Sequence, residues 1–214
     1  MSTFRRHEVH PVVHVSARVA ALAFALHLGV ARLASAQTTA LDQPAPEKRA
    51  SVAVETDILS YFFSGYSIMA NVSLPNKFQA AFGIGSYDVP DFLVEGDPNF
   101  DVAQWQARVT SVQVLRVTYR FRGPRKSGPA LGGVILNQRW QLESLPLDGD
   151  TTFRELRAGL TGGYYFHIGK NFYIYPTAAI TYNNVYSGEP SVASTNYETD
   201  TFSPNASLHV GWAW

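Results

Sequence analysis

The sequence has no cysteine, which excludes a disulfide framework, a thiolate metal site, a cysteine nucleophile and a lipid-anchored bacterial N-terminus. Neither sign of charge is in excess: 17 basic residues stand against 17 acidic ones, so there is no electrostatic footprint for nucleic acid and no such partner is expected. No apolar run reaches the roughly 20 residues that a membrane-spanning helix needs. From Ser51 onward no stretch carries convincing helical periodicity, and lysine is nearly absent from the segments that do carry a pattern. Disorder is excluded too, because 46% of the residues are hydrophobic, enough for a packed domain.

What is present begins with an address label. Arg5, Arg6 and Arg18 lead an apolar run over 19–31, and Ala34-Ser35-Ala36 follows. A basic lead, a short apolar stretch and a small-x-small site are the parts of a secretory signal peptide, here 1–36; the alternative is a buried N-terminal helix. Cleavage before Gln37 removes Arg5, Arg6, Arg18 and Arg32 against Glu8, so the mature chain turns mildly acidic, net about −3. It also removes His7, His10, His14 and His27. Only His167 and His209 remain, on distant segments, and neither a metal nor another cofactor is expected. Residues 37–50, polar with Pro44 and Pro46, read as a flexible lead-in.

The remainder, 51–214, alternates apolar and polar positions with period two, the signature of half-buried strands. Eight strands are predicted, over about 52–62, 66–74, 78–89, 109–122, 130–142, 153–168, 172–186 and 201–214. The first sets Val52, Val54, Thr56 and Ile58 against Ala53, Glu55 and Asp57. The fourth sets Leu115, Val117, Tyr119 and Phe121 against Arg116, Thr118, Arg120 and Arg122. In the fifth, Val134, Leu136, Trp140 and Leu142 oppose Gly133, Asn137, Arg139 and Gln141. The sixth opposes Leu156, Ala158, Leu160, Tyr164, Phe166 and Ile168 to Arg157, Thr161, Tyr165 and His167. In the last, Leu208, Val210, Trp212 and Trp214 oppose Asn205, Ser207 and His209.

Such strands make either a soluble barrel with its apolar face inward or a membrane barrel with that face outward. Three features favour the membrane. The polar face carries Gly, Tyr, Asn, Ser, Thr and arginine–carboxylate sets in place of the Lys and Glu of a solvated face, which suits a filled narrow lumen. Connectors alternate between short turns (75–77, 123–128, 169–171) and longer acidic stretches (about 88–108, 145–151, 187–199). Aromatics gather near strand ends, with Tyr61, Phe62 and Tyr66 at one rim and Phe121, Phe166, Phe172, Trp212 and Trp214 at the other. The expected fold class is therefore all-β, an eight-stranded antiparallel transmembrane up-and-down β-barrel. The expected location is the bacterial outer membrane. Expected partners are outer-membrane lipid and lipopolysaccharide, with the barrel insertion machinery reading Trp214, and the barrel is expected to be a monomer.

On these residues the chain resembles the small eight-stranded outer-membrane barrels typified by OmpA and OmpX. Three stretches further resemble an uncharacterised bacterial outer-membrane family: Gly65-Tyr66-Ser67, Asp88-Val89-Pro90-Asp91-Phe92-Leu93 and His209-Val210-Gly211. The resemblance implies fold and compartment and implies no activity.

Two candidate constellations follow. Glu55 and Asp57 would face Arg116, Arg120, Arg139 and Arg157 across the lumen as a paired network that blocks conduction, because buried charges persist only when paired; the rival is a small-solute pore. At the seam where first and last strands close the ring, Glu55 and Asp57 would lie beside Ser207 and His209. Acid, imidazole and hydroxyl are the parts of an acyl-transfer triad, as a lipid-modifying acyl hydrolase or transferase would use. Two residues apart on one strand is about 7 Å, long for direct activation, and a hydrogen-bonded plug is the plainer reading of the same groups. The stretch 88–108 holds Asp88, Asp91, Glu95, Asp97 and Asp101 with Phe92, Phe100 and Trp105. It reads either as a solvated acidic loop or as a cation site bridging lipopolysaccharide phosphates. The sequons Asn71-Val72-Ser73 and Asn205-Ala206-Ser207 fall inside strands, and Gly162-Gly163 eases strand packing.

Overall fold

The computed structural model describes residues 50–90, 105–144, 149–192, 195–197 and 199–214. The expected signal peptide, 1–36, and nearly all of the expected lead-in lie outside the described residues, as do Asp91, Glu95, Asp97 and Asp101 with Phe92 and Phe100.

Eight strands close into one ring: β1 (Ser51–Asp57), β2 (Tyr66–Ser73), β3 (Phe78–Asp88), β4 (Trp105–Arg120), β5 (Gly128–Ser144), β6 (Gly149–Ile168), β7 (Phe172–Ser187) and β10 (Phe202–Ala213). A small hairpin, β8 (Ser191–Val192) and β9 (Thr195–Asn196), sits in the last long connection. Every neighbour pair is antiparallel, and β1 closes the ring by pairing with both β2 and β10. Such a ring leaves no edge strand with unpaired amides.

The stagger can be followed residue by residue. One hydrogen-bonded row runs Phe202, Tyr182, Ala158, Ile135, Leu115, Phe82, Ala70, Val54 and back into β10 at Trp212, ten positions from its start. At ordinary strand spacings that stagger tilts the strands by about 40°. Every member of the row points outward and is exposed. Phe82 is 58% exposed and Leu160 65%, whereas Glu55 and Arg116, on the opposite face, are 1% and 4%. The pattern is a soluble barrel turned inside out, as the sequence predicts.

Heights are uneven. β1 and β2 have 7 and 8 residues, β5 and β6 have 17 and 20. A tilted strand of about 9–11 residues spans a hydrocarbon layer. The β4–β7 wall therefore rises well past the apolar belt at the end opposite the short turns near 74–77, 121–127 and 169–171. Above the belt that wall needs a core of its own. Trp105, Leu142, Phe153 and Val192 bury one another there, with Trp140 stacked on Phe153 at 6.0 Å and Val185 and Tyr197 packed alongside.

Four expectations are corrected. Ile58–Phe62 is a five-residue helix, α1, where the first strand was expected to continue. Asp57 caps it, accepting from the Leu59 amide at 3.1 Å, and so ends the strand. The fifth strand has its faces exchanged: Val134, Leu136, Trp140 and Leu142 point inward, and Gly133, Asn137, Arg139 and Gln141 outward. Trp140 and Leu142 belong to the core above the belt, whereas Val134, opposite Arg116, turns an apolar side chain into the lumen itself, so the rule of apolar outside fails for this strand. Arg122 lies exposed in a turn past the end of β4. The connector expected at 145–151 shrinks to 145–148 because β5 and β6 continue outward on either side.

Candidate functional site: the lumen network

Parity places the lumen groups. Positions 53, 55 and the like in β1, even positions of β4 below its bulge and odd positions of β6, β7 and β10 turn inward, so Glu55, Arg116, Tyr165, Tyr173, Tyr175 and His209 meet inside. Arg116 Nη2 donates to Glu55 Oε1 at 2.6 Å. Tyr173 Oη donates to Glu55 Oε2 at 2.9 Å, and Asn71 Nδ2 approaches the same oxygen at 3.4 Å. One carboxylate thus gathers donors from β2, β4 and β7.

His209 completes this layer. Arg116 Nη1 lies 3.2 Å from His209 Nε2, and a guanidinium can only donate, so Nε2 is the acceptor. Its other nitrogen, Nδ1, lies 3.3 Å from Glu55 Oε1, an ion pair only when the ring is protonated. The ring also stacks against Tyr175, at 5.9 Å.

Aromatic rings carry the layer toward the turn end. Tyr165 and Tyr175 stack at 3.7 Å with planes 8° apart. Arg116 lies over the Tyr175 ring and Arg120 over the Tyr165 ring, at 4.9 and 3.9 Å. Arg120 Nη2 donates to His167 Nε2 at 2.7 Å and to the Lys126 carbonyl at 3.2 Å. Tyr165 Oη donates to Gln79 Oε1 at 2.6 Å. Arg120 is thus held by π faces, an imidazole and a carbonyl, with no carboxylate in contact among the described residues. Space for these rings is made by Gly211: a Cβ there would run into the Tyr173 ring.

A second charge layer lies nearer the loop end. Arg157 Nε pairs with Glu155 Oε2 at 2.7 Å and its guanidinium lies over Trp140 at 5.2 Å. Beside it Gln138 Nε2 donates to Tyr87 Oη at 3.1 Å. Glu155 is the lumen carboxylate that the alternation pattern passes over. Its signal was present, since it shares parity with Arg157 two positions on.

The sequence-predicted residues are therefore distributed as follows. Glu55 and Arg116 are brought together, Arg120 sits one layer below on aromatic faces, and Arg157 pairs with Glu155 instead of Glu55 or Asp57. Arg139 is corrected to the outer face. Asp57 is corrected from the lumen network to the seam, where its Oδ1 accepts from the amides of Leu59 and Leu208, both at 3.1 Å. No triad forms: both His209 nitrogens face Arg116 and Glu55, neither hydrogen-bonds Ser207, and Asp57 is committed to backbone amides. Among the described residues no group of three metal-ligating side chains converges.

No family model matches this sequence, and no curated protein matches it. Solved structures do. A major outer membrane protein from Thermus thermophilus is 13% identical, covering 78% of this chain and all of that one, with a TM-score of 0.49. The N-terminal β-barrel domain of Pseudomonas aeruginosa OprF is 14% identical over 77% of this chain and 97% of that one, TM-score 0.38. Neisserial surface protein A is 15% identical over 77% and 92%, TM-score 0.39.

Proposed function

We propose that this chain is a bacterial outer-membrane β-barrel with a structural or surface-interaction role and a lumen plugged by its own side chains. The observation that carries the reading is the inverted distribution of side chains: a closed ring with apolar residues outward and the Glu55–Arg116 and Glu155–Arg157 pairs inward. In lipid every backbone amide needs a partner, and a closed ring supplies one to each. The Glu55–Arg116 layer and the stacked tyrosines fill the narrow interior of an eight-stranded ring, which supports a plug over a diffusion pore. Within the apolar belt the closed ring presents no free strand edge to a second copy, which supports a monomer.

Two experiments test this. The full chain should fractionate with the outer membrane and migrate faster on a gel before boiling than after; a water-soluble secreted product contradicts the membrane assignment. In planar bilayers it should give no steady conductance steps, and reproducible steps contradict the plug.

A further inference from the structure

Arg139 on β5 and Arg154 on β6 are directly opposed cross-strand partners, both outward and exposed. Like charges placed opposite one another destabilise a strand pair unless something neutralises them. Among the described residues neither guanidinium has a carboxylate partner; Arg108, farther round the same wall, is paired with Asp88 at 3.1 Å. The nearest outward acids on this hairpin, Glu143 and Asp150, oppose each other four positions farther from the belt, about 13 Å along the strands.

Height matters as much as charge. The outward residues just below the pair are Asn137 on β5, Leu156 on β6 and Asn184 on β7, and the next row down, Ile135, Ala158 and Tyr182, is exposed and begins the apolar belt. The arginines therefore lie above the belt, separated from it by the Asn137–Leu156–Asn184 row, in the layer where headgroup phosphates of an outer leaflet lie. The surface there is recessed: Arg139, Thr152, Phe153, Arg154, Ser187 and Gly188 line a cavity of about 140 Å³. Gly188 among them has a φ of +78°, and any Cβ there would strike the Thr152–Phe153 backbone. Two arginines together with Thr152 and Ser187 in the lining of one recess supply charge-assisted donors of the kind that hold a phosphate group.

We infer that the Arg139–Arg154 pair is a binding site for the phosphate of an outer-leaflet glycolipid such as lipid A. The inference rests on the outer-membrane reading and extends it by naming the lipid contact. The full chain is inserted into phosphatidylcholine vesicles, and insertion is scored by heat-modifiable migration. Binding of bisphosphorylated lipid A is then measured against that of its dephosphorylated form. The Arg139→Gln, Arg154→Gln double variant should insert normally and bind bisphosphorylated lipid A about tenfold more weakly. The Glu143→Gln, Asp150→Asn variant should bind as the unaltered chain does. Equal binding by the arginine variant overturns the inference, as does equal binding of the dephosphorylated lipid. An equal loss in the acid variant would show a cation bridge instead. Inorganic phosphate competing at the affinity of lipid A would show a general anion site; either result overturns it. Failure of the unaltered chain to insert would instead overturn the membrane reading, so the two fail separately.

Discussion

Arg116 reaches Glu55 across the barrel interior at 2.6 Å, tying the first strand to the fourth, with which it shares no backbone hydrogen bond. Both side chains are almost completely buried. Removing one of them strands the other's charge. Glu55→Leu or Arg116→Met alone should cost about 3–5 kcal/mol, while the double exchange should cost far less than their sum. Urea unfolding in vesicles measures it, and simple additivity would refute the coupling.

Gly211 is where this network meets the backbone. Gly211→Ala should push the Tyr173 ring away and break its bond to Glu55, costing about 1–3 kcal/mol. Tyr173→Phe should remove the bond without the clash and cost less. If Gly211→Ala unfolds at the urea concentration of the unaltered chain, the close packing is wrong.

Depth in lipid can be read with a single residue type. Phe82→Arg, on the belt midway along β3, should destabilise the inserted barrel by about 2–4 kcal/mol. Gln141→Arg, beyond the Arg139 level, should cost close to nothing because that part of β5 is in water and Asp150 is at hand. Equal costs at the two sites would contradict the belt boundary.

Ser207→Ala should leave the acylation pattern of outer-membrane lipids unchanged, since His209 is turned to Arg116 and Glu55. Mass spectra of lipid from cells expressing each version decide it. Loss of a deacylated species in the alanine variant would restore the hydrolase reading.

Much of this fold is legible in the alternation alone, because one face of each strand must be apolar for lipid and the other must fill a lumen. β2 and β3 follow that rule along their outward faces, where Ile68, Val72, Phe82 and Ile84 are exposed, although Met69 and Ala81 turn apolar groups inward. β5 does not: Leu131 and Ile135 face out while Val134, Leu142 and Trp140 face in, so apolar residues occupy both parities and the larger ones mislead. Beyond the belt the rule lapses, as at Trp140 and Leu142, and within it Val134 fills the lumen with an apolar side chain. Asp57 illustrates a different limit. Its charge suggests the lumen, yet a helix cap and the Leu208 amide claim it, and both depend on the chain turning where alternation gives no notice.

The ten-residue return of the hydrogen-bonded row also says what kinds of lesion the chain can absorb. In a ring with no free edge, deleting one residue inside a strand exchanges the destinations of every side chain beyond it, sending arginines toward lipid and leucines toward one another. Deleting two keeps the destinations and alters only the stagger. Survival in a deletion scan should therefore rise and fall with a period of two within strands and lose that rhythm in the connectors, an arithmetic of odd and even that no single substitution would reveal.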